Sequence, residues 1–100
     1  MPKTKKYSVR WYQKKCDIEF SELVRSREAC DRCGKTDSLQ CAHIIPRTNH
    51  TLRWDIMNAL CLCYSCHIFY AHKDPLGFVD YLMSKYPERM VYLQEELGHL

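Results

Sequence analysis

The chain has 100 residues, of which 46% are apolar and 27% charged, the proportions of a single globular domain rather than of a disordered or fibrous chain. No apolar run approaches the length of a bilayer span, and the N-terminal MPKTKKYSVRWYQKK lacks the apolar stretch of a secretion signal, so a cytoplasmic protein is expected. The net charge of +3 is uneven: six Lys/Arg and no Asp/Glu precede Cys16, whereas nine basic and twelve acidic residues follow.

Residues 1–16 therefore read as a basic arm, and residues 17–100 as one domain with a core at about 28–74 and helices over 75–97. In the arm, Tyr7, Trp11 and Tyr12 alternate with the cations, a composition suited to lying along a phosphate backbone and equally to a solubilising, disordered tail. DIEFSELVRSREA predicts a helix capped by Asp17, with Phe20, Leu23 and Val24 on one face and Arg25 toward solvent. CDRCGKTDS is a tight knuckle in which Gly34 takes a left-handed conformation. LQCAHII has strand character, with Leu39, Cys41, His43 and Ile45 on one face and Pro46 ending the pairing.

PRTNHTLRWD is a polar, basic loop in which His50 is surface, and NALCL is the returning strand. YSCHIFYAHK has helical length. Asp74 and Pro75 then form a cap and first helical position, opening a helix whose face is Phe78, Val79, Leu82 and Tyr86. Pro87 interrupts, and ERMVYLQEEL makes a last helix closed by Gly98. The expected fold is α+β, a small hairpin with helices around it.

Seven cysteines in a chain expected in a reducing compartment point to metal rather than disulfides. Cys30 with Cys33, and Cys63 with Cys66, form two C-x2-C pairs, which can set four thiolates tetrahedrally around one structural zinc ion. A thioredoxin-like redox role needs a single pair in a different strand–helix setting. Cys61 lies two residues from Cys63 and is a rival ligand, but the spacing favours Cys63; Cys16, Cys41 and Cys61 then read as small buried hydrophobes.

CDRCG…LQCAHIIPR…LRWDIMNALCLCYSCH resembles the HNH nuclease family, the zinc-stapled branch of the ββα-metal (His-Me finger) nucleases found in phages and bacteria. The likeness runs from about Asp17 to Pro75, and SELVRSRE and AHKDP are also typical of small phage-like members. It implies a ββα-metal core and a DNA endonuclease that leaves 5′-phosphate and 3′-hydroxyl ends. His43 would be the general base, Asn58 the residue that orients the site, and His67 a ligand of a catalytic Mg²⁺ or Mn²⁺. Histidine suits deprotonation of water near neutral pH, and a cation suits the charge that develops on the phosphate.

Two positions depart from the pattern. Ala42 stands where many members carry a metal-binding Asp or His, and Ala71 where many carry a second helix histidine. His72 lies five residues beyond His67, about 140° round an ideal helix, so sharing an ion requires the helix to end or distort. His72 or Asp55 is the candidate for filling the ion's shell.

Arg47 and Arg53 flank the loop where a scissile phosphate would lie, and Arg25 and Arg27 can add backbone contacts, with little sequence selectivity. DNA is the implied partner, and phage packaging proteins the implied setting. Two readings of other classes stand beside the nuclease. One is a non-catalytic zinc-knuckle DNA-binding module, which has no need of both His43 and His67. The other is a redox or zinc-sensing switch built on the surplus cysteines.

Overall fold

A computed structural model of the chain describes residues 7–98. Helix α1 spans Val9–Arg25, followed by strand β1 (Leu39–His43), a 3-10 turn (Ile56–Asn58), strand β2 (Ala59–Cys63), a π-helix (Ser65–His72), α2 (Pro75–Lys85) and α3 (Pro87–Glu96). The architecture is α+β, and no helix among the described residues is long and apolar enough to cross a membrane.

The first helix begins earlier than the sequence suggests. Ser8, not Asp17, is its cap, with Oγ accepting from the Trp11 N–H at 3.1 Å. Nothing from Val9 to Cys16 breaks a helix, so the turn nucleated at Ser8 propagates through the arm. The boundary drawn at residue 16 thus falls inside α1, and residues 9–16 are helical rather than a disordered tail. The portion of the arm at residues 1–6 lies outside the described residues.

The strands pair antiparallel from Leu39 with Cys63 to His43 with Ala59, so Ile45 falls beyond the ladder. Helices cover both faces. Phe20 and Val24 of α1 pack against Ala59 and Cys61, while Ala42, Leu60 and Leu62 pack against Phe78, Leu82, Met90 and Leu93 of α2 and α3. A strand covered on both sides reads as a continuous apolar run, which is why ALCLC shows no polar alternation. Leu23 does not join Phe20 and Val24 but is 59% exposed, because two strands offer a surface too narrow for more than one ridge of the helix. Val79 is likewise exposed on α2, whose Asp74 cap and first-position Pro75 are as expected.

The loop between the strands is tied shut by Asn58, the one fully buried polar side chain among the described residues. Its Oδ1 accepts from the Ile45 N–H at 2.7 Å, and its Nδ2 donates to the carbonyls of Ile45 and Leu52 at 2.9 and 3.0 Å. The backbone adds an Ile44 N–H to Asn58 carbonyl bond at 2.8 Å. Leu52, almost wholly buried, anchors the loop from the other side.

Asn58→Ala strands three backbone groups, one buried and two half-buried, and should lower the unfolding free energy by on the order of 3 kcal/mol. Chemical denaturation of zinc-loaded protein measures this. A loss below about 1 kcal/mol would show that other contacts close the loop.

Candidate metal centre and histidine cleft

The two C-x2-C pairs converge. The Sγ atoms of Cys30, Cys33, Cys63 and Cys66 all lie within 4.8 Å of one another, and Cys33 and Cys63 are 3.7 Å apart. A tetrahedral zinc with Zn–S bonds of about 2.3 Å requires sulfur–sulfur edges of roughly 3.8 Å, so the cluster is shaped for one such ion. The knuckle is held by Gly34, at φ +80°, whose N–H meets the Cys30 carbonyl at 2.9 Å, and by the Cys30 N–H on the Lys35 carbonyl at 2.7 Å. Asp31 ties it to β2, exchanging backbone and carboxylate bonds with Cys61 at 2.7 and 2.8 Å.

The thiols themselves call for a cation. Burial raises the Cys30 thiol, yet backbone N–H groups of Cys63, Cys33 and Arg32 outweigh it and bring it down to about 6. Burial pushes Cys66 up to about 12, against the Arg32 guanidinium and reinforced by the thiols of Cys63, Cys33 and Cys30. One thiolate forms readily and suppresses another, and a divalent ion removes that conflict. Cys61 is not part of the cluster; it turns toward α1, directly opposite Cys41. Burial raises both of these thiols, which makes them poor nucleophiles and weighs against the redox reading.

Cys66 lies in the first turn of the π-helix, and this helix changes the geometry expected of its histidines. Hydrogen bonds that run five residues instead of four put His67 and His72 on one face. Their ring centroids are 4.5 Å apart, where an ideal α-helix would separate them. A histidine one position after Ala71 thus stands beside His67.

His67, His72 and His43 line one open cleft of about 440 Å³ together with Asp17, Cys41 and Arg47. A second, mostly apolar groove of about 320 Å³, walled by Ile44, Phe78 and Met90, shares the same three histidines. His43 stands at the end of β1 with its Nε2 2.8 Å from the Arg53 carbonyl. A carbonyl only accepts, so Nε2 carries a proton, and in the neutral ring Nδ1 is the lone pair. His67 has its Nδ1 2.7 Å from Gln40 Oε1, which leaves Nε2 as the ring's lone pair. Burial, followed by His72 and His43, lowers the His67 pKa and favours the neutral, metal-binding form. Among the described residues, the four cysteines are the sole gathering of three or more metal-binding groups; the cleft offers the close His67–His72 pair.

Asp55 is not available to the cleft. Its carboxylate caps the 3-10 turn, accepting from the Met57 N–H at 2.9 Å, and takes a short hydrogen bond from the Tyr92 hydroxyl. The carboxylate that does face the cleft is Asp17, which sequence reasoning misplaced as a cap. It receives Arg53 Nε and Nη2 at 2.9 and 2.6 Å, the Trp54 indole at 2.9 Å, and Arg47 Nη1 at 3.5 Å. Arg53 is therefore neither a solvated loop cation nor a free phosphate donor, whereas Arg47 is 61% exposed. The signal was present. In a helix started at Ser8, Asp17 shares a ridge with Phe20 and Val24, and an acid on an apolar ridge implies a cationic partner. Gln40 carried no such signal. No family model, curated protein or solved structure matches the chain, so its chemistry is read from its own residues.

Purified protein should hold about one zinc per chain by elemental analysis, and Cys30→Ser or Cys66→Ser should unfold or aggregate, while Cys16→Ser should be nearly silent. Folded protein without zinc would refute the centre. Acid stability tests the Asp17 clasp. The Arg53 hydrogen bond, ahead of the smaller Trp54 and Arg47 contributions, holds the Asp17 carboxyl at about 2 instead of 3.8. A depressed carboxylate stabilises the fold fully above its unfolded value and ceases to do so as pH falls through its folded value. Asp17→Asn should thus be less stable than wild type at neutral pH, and the gap should narrow between about pH 4 and 2. A constant gap in pH-dependent denaturation would exclude the charge pair as its source.

Proposed function

We propose that the chain is a metal-dependent DNA endonuclease of the HNH type, hydrolysing phosphodiester bonds with His43 as general base. The observation that carries the reading is the contact of His43: its Nε2 lies 2.8 Å from the Arg53 carbonyl, so that in the neutral ring Nδ1 is the proton acceptor, and the ring lines the same cleft as His67. The order strand, loop, strand, helix, with Asn58 closing the loop and Cys66 in the first turn of the helix, supports a ββα-metal core.

In this reading His43 takes a proton from the attacking water, and Arg47 meets the phosphate. Asn58 keeps the loop shut so that the Arg53 carbonyl stays on His43. A magnesium or manganese ion on His67, with His72 adjacent, would stabilise charge developing on the phosphate and the leaving oxygen. The basic first helix, with Arg10, Lys14, Lys15 and the exposed rings of Trp11 and Tyr12, adds sequence-tolerant contact with the DNA backbone. The resemblance also suggests phage packaging proteins as the setting for this cleavage.

A second reading, a non-catalytic zinc-knuckle DNA-binding module, is favoured by one observation: among the described residues, no third metal-binding group joins His67 and His72 as closely as the cysteines join one another. Supercoiled plasmid incubated with Mn²⁺ or Mg²⁺ separates the two. Wild type should nick it. His43→Ala should stay folded, zinc-loaded and DNA-binding while cleavage falls about 10²–10⁴-fold, and His67→Ala should weaken the response to added ion. Equal cutting by wild type and His43→Ala would discard the mechanism, and no cutting by wild type would favour the binding module.

A further inference from the structure

Asp17 lies outside the hairpin and its flanking cysteines, yet the cleft depends on it through one intermediary. Its carboxylate grips the Arg53 guanidinium with two bonds, at 2.9 and 2.6 Å, and the adjacent Trp54 indole with a third at 2.9 Å. The carbonyl of the same Arg53 accepts the Nε2 proton of His43 at 2.8 Å. Arg53 sits in the loop between the strands, outside any helix or strand, so its peptide has no ladder to fix its direction. What fixes it is the side-chain clamp on one side and the Asn58-closed loop on the other. Three residues along α1, Phe20 brings its ring within 5.6 Å of the His43 imidazole, so the same stretch of helix backs both partners.

We infer that Asp17 is a positioning residue for His43: by clamping the Arg53 side chain it holds the Arg53 carbonyl where it keeps His43 in the Nε2–H tautomer, with Nδ1 free for the cleft. The effect on cleavage rests on the nuclease reading, while the effect on the tautomer does not. A plain stabilising ion pair would make a different prediction, because it would change the unfolding free energy without touching the imidazole. The clamp also occupies Arg53, so releasing it adds a free cation beside the cleft. Turnover and DNA affinity should then move in opposite directions.

The test uses the full zinc-loaded chain and two variants, Asp17→Asn and Arg53→Lys. Two-bond ¹⁵N–¹H spectra of the imidazoles report the tautomer, and plasmid nicking under multiple turnover reports kcat and KM. Wild-type His43 should show the Nε2–H form alone, and both variants a mixture of tautomers. In both, kcat should fall roughly ten- to a hundredfold, the scale for losing a partner that orients a working histidine. In Asp17→Asn, KM should stay level or drop, and Asp17→Glu, which keeps the charge, should recover part of kcat. A folded, zinc-loaded Asp17→Asn with the wild-type tautomer and wild-type kcat overturns the inference. If Asp17→Asn does not fold, Arg53→Lys decides by the same two readouts. A wild type that cuts no DNA, with tautomer mixing still seen in the variants, would overturn the nuclease reading and uphold the positioning role.

Discussion

Four sulfur atoms set the terms for everything else in this chain. A two-stranded hairpin is not stable in water by itself, and five paired residues per strand supply few backbone bonds. The thiol centre joins the segment after α1 to the end of β2 and the start of the π-helix. Those junctions are where the chain reverses to cover the sheet. With Cys63 and Cys66 fixed there, the π-helix can only run back along the sheet, where His67 meets Gln40 of β1. The cysteine cluster thus determines where the histidines sit while standing apart from the cleft they line.

The cleft shows a second economy, this one of charge. Basic and acidic groups are brought close, but each is answered by a near neighbour. Asp17 absorbs Arg53, Asp31 pairs with Arg27 at 2.7 Å, and Arg32 lies against Cys66 and over the ring of Tyr70 at 3.6 Å. The imidazoles line the cleft between partners that are already neutralised. His67 is held toward its neutral form by burial and by its two histidine neighbours, and hydrogen bonds orient both His43 and His67. Arg47 is the exception, largely exposed and only loosely held.

The sequence was most legible where spacing is dictated by covalent geometry. Two C-x2-C pairs can converge on one centre in few ways, and Asp74–Pro75 can start a helix in only one place. Asn58 was singled out only through the resemblance, as the residue that orients the site; that it closes the loop depends on partners 6 and 13 residues away. Two of the failures share a cause, a contact distant in sequence. Asp17 resembles a cap until Arg53, 36 residues away, is seen on its carboxylate. Asp55 resembles a free ligand until Tyr92 is found on it. The π-register of Ser65–His72 has no local signature in a segment without glycine or proline, so the pairing of His67 with His72 could be named as a requirement but not foreseen.

The continuity of α1 has a consequence for reach. The helix is fastened to the body through Phe20, Val24 and the Asp17 clasp, while the stretch back to Ser8 bears exposed side chains such as Val9, Trp11 and Tyr12. At 1.5 Å per residue, that stretch is a stiff outrigger roughly 13 Å long. On the nuclease reading it would span about four base-pair steps at 3.4 Å each, so the footprint on a duplex would be set by a rod of fixed length and direction. A tether of the same composition would blur that footprint. A rod measures it, and the distance between the held phosphates and the cut would be constant from one DNA molecule to the next.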